Sequence, residues 1–134
     1  MHKSAKGFHL IEMLSAMAIL SILVSLCLPI YSQYIVQAKR LEAASMLSKL
    51  SAAMEKFHLE QNTYEGATLA RLNFPITIAN NHYQLHIQTT ANDYTLLAKP
   101  IGKQAEKDTA CGGLILQADG RKEVTGTGNV NECW

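Results

Sequence analysis

A formal net charge of +1 over 134 residues argues against a dedicated nucleic-acid-binding surface, and the length leaves room for one domain. The mean hydropathy of +0.00 hides a strong asymmetry, because apolar residues are concentrated between Phe8 and Ile35. If that stretch lies outside the domain, the 99 residues 36–134 remain for a core. A core of that size is small, so an additional constraint or a partner would add to its stability.

The chain begins with a short basic segment, residues 1–7, which has no apolar stretch of its own. Residues 8–30 follow with Glu12 as their one formal charge, and as a helix they would rise about 35 Å, enough to cross a membrane. The basic residues ahead of the run favour the cytoplasm for this end. A secretory signal and a lipoprotein signal are alternatives that fit poorly, because no small-residue cleavage site follows the run and the bulky Leu26 precedes Cys27.

Glu12 is the informative residue of this run. A carboxylate at the centre of a membrane helix costs roughly 2.5 to 3.5 kcal/mol and usually marks a function. The alternative is a charge at the lipid interface that the N-terminal helix dipole favours. Taken alone, Glu12 leaves both interpretations open.

Residues 7–12 read Gly-Phe-His-Leu-Ile-Glu directly ahead of the apolar helix. This resembles the class III leader junction of type IV pilins, type II secretion pseudopilins and related filament subunits. The resemblance implies that prepilin peptidase cleaves between Gly7 and Phe8 and that the new Phe8 amine is N-methylated. It also implies that Glu12 pairs with the N-terminal amine of its own or a neighbouring subunit during assembly. His9 departs from the family, which usually carries Thr at this position.

Pro29 also matches the family pattern and removes one helical hydrogen bond. A kink is favoured over a helix stop, because the helical pattern resumes at once. From Tyr31 to about Gln61 the sequence has no Gly or Pro. Apolar residues recur there mostly at spacings of three or four, at Val36, Ala43, Leu47, Leu50, Met54 and Phe57. Counted from Phe8, this predicts one helix of roughly 50 residues whose first half is buried in lipid and later among related helices.

The remainder of the chain has the alternation of β-strands. Turn signals lie at residues 90–93 and at Asp119-Gly120, and residues 62–80 connect the helix to the sheet. Strands are predicted at 83–89, 94–98, 113–118 and 122–125. The predicted fold class is α+β, with a long N-terminal α-helix packed on a C-terminal antiparallel β-sheet.

Three cysteines are present, Cys27, Cys111 and Cys133. In an exported chain Cys111 and Cys133 would form a disulfide, for which the chain-entropy relation gives about 3 kcal/mol. In a cytosolic chain all three would be free thiols.

The C-terminal half extends the resemblance. Residues 94–100, Tyr-Thr-Leu-Leu-Ala-Lys-Pro, followed by Asp108, Cys111-Gly112 and Cys133-Trp134, look like minor type IV pilins of the PilE-type branch. The resemblance implies the type IV pilin fold, divided into a leader peptide (1–7), a transmembrane and filament-core helix (8–35) and a globular head (36–134). It also implies a Cys111–Cys133 disulfide that bounds a variable surface loop.

Nothing in the sequence predicts an enzyme, a cofactor or a metal site. No Ser-His-Asp or Cys-His arrangement and no Gly-rich phosphate loop is found. His82 and His86 are expected on one face of a strand about 13 Å apart, too far for one metal ion. Asp119 with Asn129 and Asn131 could coordinate Ca²⁺, but turn chemistry is the preferred interpretation. Basic residues that could contact DNA make only a weak case; they are Arg121 and Lys122, with Lys103 and Lys107 nearby.

The sequence therefore predicts a structural subunit of a type IV pilus, expected to be a minor pilin, for adhesion, twitching motility or DNA uptake. A type II secretion pseudopilin is the first alternative, and a single-span protein whose head binds a small ligand is the second. The expected partners are other pilin subunits in a helical filament, the prepilin peptidase and N-methyltransferase, and the assembly platform. The chain would reside in the bacterial inner membrane as a single-pass protein and then in the extracellular pilus.

Overall fold

The computed structural model describes residues 9–134 and divides into two compact units between Ile35 and Val36. Helix α1, Leu10–Gln61, contributes to both units. Its N-terminal stretch is long and apolar enough to cross a membrane, with a mean hydropathy of 2.4 over its most apolar window and no buried residue there. The helix continues through Pro29, so the helix-stop alternative is wrong.

The second unit contains a five-stranded antiparallel sheet whose strands are hydrogen-bonded in chain order. Two short helices accompany it: α2, Lys103–Lys107, connects the third strand to the fourth, and α3, Val130–Cys133, lies near the C-terminus. The strands are β1 (Thr77–Ile78), β2 (Tyr83–Thr89), β3 (Tyr94–Pro100), β4 (Leu114–Gln117) and β5 (Lys122–Val124). This architecture confirms the predicted α+β fold of a long helix on an antiparallel sheet.

The core of this unit lies between one stripe of α1 and one face of the sheet. Alternation within the strands places Leu85, Ala98 and Leu114 in one cross-strand row that is almost fully buried. Fully burying a leucine side chain contributes about 1.5 to 3 kcal/mol to the free energy of unfolding. The helix contributes five buried residues at helical spacing: Ala43, Leu47, Leu50, Met54 and Phe57.

Two placements differ from the sequence prediction. His82 precedes β2 instead of sharing a strand face with His86, and its Nδ1 lies 2.8 Å from the carbonyl oxygen of Ala79. Arg40 lies outside the apolar stripe of the helical pattern, which predicts a solvent-facing side chain; in the structure it is largely buried and has a partner in the segment after α2. Strand β1 and the helices α2 and α3 were not predicted, because elements of two to five residues carry no measurable periodicity.

Candidate functional site

The first described residues form the N-terminal cap of α1. The His9 backbone N–H donates to Glu12 Oε2 at 3.1 Å, and the Glu12 N–H donates to the His9 carbonyl at 2.9 Å. This is half of a capping box, in which a Ser or Thr hydroxyl would normally accept the second bond. The Glu12 carboxylate therefore has a partner within its own helix. Gly7 and Phe8, the predicted cleavage and methylation residues, lie outside the described residues.

The implied disulfide is present: Cys111 and Cys133 are joined, with their Cα atoms 5.6 Å apart, and both are buried. The enclosed segment folds back onto the backbone ahead of it. The Gly126 N–H donates to the Cys111 carbonyl at 3.0 Å, and the Gly128 N–H donates to the Ala110 carbonyl at 2.7 Å. A Cβ atom at Gly126 would collide with the Ala110 carbonyl oxygen, so this approach requires glycine. Residues 111–133 thus form a closed loop on the head.

Helix α2 is anchored to the head by a buried amide. Gln104 is 1 % exposed, and its Nε2 donates to the Val36 carbonyl at 3.0 Å and to Tyr83 Oη at 3.1 Å. The same nitrogen lies 3.3 Å from Asp108 Oδ2. The chain enters α2 at Gly102, whose φ of +57° lies in the left-handed region that favours glycine. One side of α2 is therefore fixed to both α1 and β2.

Asp108, directly after α2, completes this anchor through an ion pair with Arg40. Arg40 Nε donates to Oδ2 at 2.9 Å and Nη2 donates to Oδ1 at 2.6 Å, the bidentate geometry of a strong charge-assisted pair. Tyr83 Oη donates to Oδ2 at 3.1 Å. The bond to Asp108 raises the pKa of Arg40, and burial raises the pKa of Tyr83. Arg40 stays charged and Tyr83 stays protonated at physiological pH.

The solvent-facing side of α2 carries two lysines, with the exposed Glu106 between them in the helix. Lys103 and Lys107 are exposed and four residues apart, so they lie on one face of the helix. Lys99, at the end of β3, is exposed as well. In the described part of the chain, none of these three lysines forms a salt bridge. They are available to an anionic partner.

Arg121 and Lys122 are engaged within the head. Arg121 Nη2 donates to Gln117 Oε1 at 2.8 Å, and its guanidinium lies 3.4 Å from an Asp119 oxygen and 3.7 Å from a Glu123 oxygen. The Lys122 ammonium lies 5.0 Å from the centre of the Trp134 ring. Of the four basic residues singled out in the sequence, Lys103 and Lys107 are thus the two for which the described part of the chain shows no salt bridge.

A second polar cluster fixes the β2–β3 turn to α1. Tyr64 and Tyr94 both donate to the Glu55 carboxylate, at 3.1 and 3.0 Å, and Ser51 Oγ lies 2.8 Å from Tyr94 Oη. The Tyr64 N–H donates to the Ala91 carbonyl at 3.1 Å. Burial raises the pKa of Tyr94 to about 12. No local pattern predicts this cluster, because its members come from three separate segments.

The residues considered for Ca²⁺ make local hydrogen bonds instead. Asp119 Oδ1 accepts from the Arg121 N–H at 2.9 Å, and Asn129 Oδ1 accepts from the Asn131 N–H at 3.0 Å. Within residues 9–134, no three His, Cys, Asp or Glu side chains are grouped as metal ligands. The geometry fits turn and capping roles for these side chains.

Comparison with known proteins identifies the family. Residues 29–115 match the family model described as "Type IV minor pilin ComP, DNA uptake sequence receptor", which covers more than half of the chain. Residues 2–28 match the prokaryotic N-terminal methylation motif. No curated protein matches the chain.

These matches confirm the predicted type IV pilus subunit and specify a minor pilin, so the pseudopilin alternative is set aside. The apolar part of α1 anchors the subunit in the inner membrane, and the methylation motif marks it for processing before it enters the extracellular pilus. Other pilus subunits and the prepilin peptidase are accordingly its partners. The chain belongs to the family of type IV minor pilins described as ComP, DNA uptake sequence receptor.

Proposed function

We propose that this minor pilin binds DNA during uptake, as a structural and binding subunit with no catalytic role. The observation that carries the proposal is the match of residues 29–115 to a family described as a DNA uptake sequence receptor. That match covers β3, α2 and the first two residues of β4. The contact is made to the phosphate backbone, because that is where lysine side chains supply most of their affinity for DNA.

The DNA contact has to be local. Residues 36–134 contain equal numbers of acidic and basic residues, so the net charge of the head does not attract DNA. Lys103 and Lys107 lie about 6 Å apart along the axis of α2, and neither forms a salt bridge within residues 9–134. Lys99 adds a third cation nearby in the chain. Arg121 and Lys122 are the weaker candidates, because neighbouring acids compete with phosphate for the guanidinium.

Processing and assembly precede this role. We propose cleavage between Gly7 and Phe8, N-methylation of Phe8, and transfer of the subunit to the assembly platform. In the filament, Glu12 exchanges its bond to the His9 N–H for the Phe8 amine of its own or a neighbouring subunit. A buried carboxylate and ammonium together cost far less than either alone, and such a pair can set register.

The same proposal divides the chain by role. Residues 1–7 are the leader, residues 8–35 pass from the membrane into the filament core, and residues 36–134 form the exposed head. Pro29 lies in the second segment and leaves one backbone carbonyl of α1 without its usual partner. This loosens α1 locally and lets the packed helices adjust to one another.

The test is binding of the full-length protein in detergent to a short labelled DNA duplex across a salt series. Each lysine–phosphate contact contributes about −0.9 to the slope of log K against log salt. Lys103→Ala/Lys107→Ala should reduce the magnitude of the slope by about 1.8. The matched control, Arg121→Ala/Lys122→Ala, should change it little. Absence of DNA binding by the wild type would contradict the proposed function. A larger change in the salt slope for Arg121→Ala/Lys122→Ala than for Lys103→Ala/Lys107→Ala would contradict the assignment of the DNA contact to α2.

A further inference from the structure

The buried cluster under α2 is separate from the residues proposed for filament assembly and for direct DNA contact. Its centre is the Asp108 carboxylate, whose side chain is 1 % exposed and which receives two bonds from Arg40 and one from Tyr83. Removing one member of a buried ion pair is strongly unfavourable, because the remaining charge is left without compensation. The cluster therefore has one well-determined arrangement.

Helix α2 is too short to be stable without contacts to the rest of the head. It has five residues, whereas isolated helices shorter than about 12 to 15 residues are marginal in water. Its N-cap residue, Gly102, supplies no side-chain hydrogen bond. Gln104 and Asp108, which lie one turn apart on its buried side, join it to Val36 and Arg40, which also lie one turn apart on α1. The direction and register of α2 consequently depend on these contacts.

We propose that Asp108, Gln104 and Arg40 are positioning residues of the DNA site, because they hold α2 in the register that keeps Lys103 and Lys107 on one exposed stripe. The proposal rests on the DNA contact proposed above. Each lysine directly precedes an anchored residue, Gln104 or Asp108, so the anchors fix both lysine backbones. A fixed pair of cations loses less conformational freedom on binding phosphates than the same pair on a frayed segment.

The direction in which one substitution changes the DNA affinity distinguishes a positioning role from simple electrostatics. Asp108→Asn raises the net charge by one near the lysines, so electrostatics alone predicts tighter DNA binding. Positioning predicts weaker binding, because the neutral amide removes the anionic partner of Arg40 and loosens α2. Asp119→Asn is the matched control: it raises the net charge equally, but Asp119 is exposed and bonded to Arg121.

The measurement is fluorescence anisotropy of a short DNA duplex of mixed sequence with the full-length protein between about 50 and 200 mM salt. Asp108→Asn should bind at least about threefold more weakly and lower the magnitude of the salt slope by about 0.9 or more. Asp119→Asn should bind as tightly as the wild type or tighter. Wild-type affinity and slope for a folded Asp108→Asn variant would overturn the positioning role.

Tyr83→Phe covers the case in which Asp108→Asn does not fold. It keeps the buried ring and removes one hydrogen bond to Asp108 and one from Gln104, so it should speed amide hydrogen exchange in α2 and weaken DNA binding together. Faster exchange with unchanged DNA binding would overturn the inference. If the wild type does not bind DNA, or Lys103→Ala/Lys107→Ala binds like the wild type, the proposed DNA site fails and this inference fails with it. If the lysine variant weakens DNA binding as expected but Asp108→Asn and Tyr83→Phe bind DNA like the wild type, only the positioning role is excluded.

Discussion

Removal of the Cys111–Cys133 disulfide should destabilise the head by an amount that follows from the loop it closes. The two cysteines are separated by 22 positions, and the chain-entropy relation gives about 3 kcal/mol for a loop of that size. In a domain of roughly 100 residues, 1 kcal/mol corresponds to about 4 to 8 °C in Tm. Cys111→Ala/Cys133→Ala should therefore lower Tm by at least about 12 °C. Alanine is preferred to serine, because both sites are buried and a serine hydroxyl would add a desolvation cost.

Trp134 makes this prediction measurable by fluorescence. It is the one tryptophan of the chain, it follows Cys133 directly, and its indole N–H donates to the Glu123 carbonyl at 3.1 Å. Thermal unfolding should be followed by Trp134 fluorescence and by circular dichroism, with Cys27→Ala as the control because Cys27 is exposed outside the head. A shift below about 4 °C for the double variant, or an equal shift for Cys27→Ala, would refute the loop-closure reasoning.

Three further predictions follow from single residues. Gly126→Ala should destabilise the head by about 1 to 3 kcal/mol in chemical unfolding, because its Cβ has no room beside the Ala110 carbonyl; a wild-type midpoint would contradict this. Burial raises the pKa of Tyr94 from an ordinary value of 10.0 to about 12 in the folded head. The contribution of protonated Tyr94 to the free energy of unfolding is therefore complete below about pH 10 and is lost as pH rises through 12. Tyr94→Phe should show a smaller loss of unfolding free energy over that range, and an unchanged pH dependence would count against the assignment. Glu12→Ala should be cleaved normally yet be depleted from sheared pili, and normal incorporation in immunoblots would exclude an assembly role for its carboxylate.

The long helix and four of the five strands of the head could be predicted from the sequence, because both kinds of periodicity are local. Leu47, Leu50 and Met54 repeat at helical spacing, and Tyr83 to Thr89 alternates as a strand does. The pairing of Cys111 with Cys133 was implied by family resemblance and is present. These features needed only neighbouring residues or a known pattern.

The anchor of α2 could not be predicted in this way. Arg40 and Asp108 are 68 positions apart, and helical periodicity alone assigns an arginine between apolar positions to solvent. Gln104 is a polar residue that becomes buried because three acceptors surround its amide, and those acceptors come from α1, β2 and the end of α2. Such a cluster is determined by tertiary structure and leaves no trace in local spacing.

Mass spectrometry of this subunit in sheared pili tests most directly whether it is a processed pilus component. The expected chain begins at N-methylated Phe8 and contains the intact Cys111–Cys133 disulfide. Gly7→Leu, which places a bulky side chain at the cleavage site, should leave a precursor in the inner membrane and none in the pili. Pili without the subunit would show that it is not a filament component, and a pilus-borne chain that still carries residues 1–7 would show that it is not cleaved after Gly7.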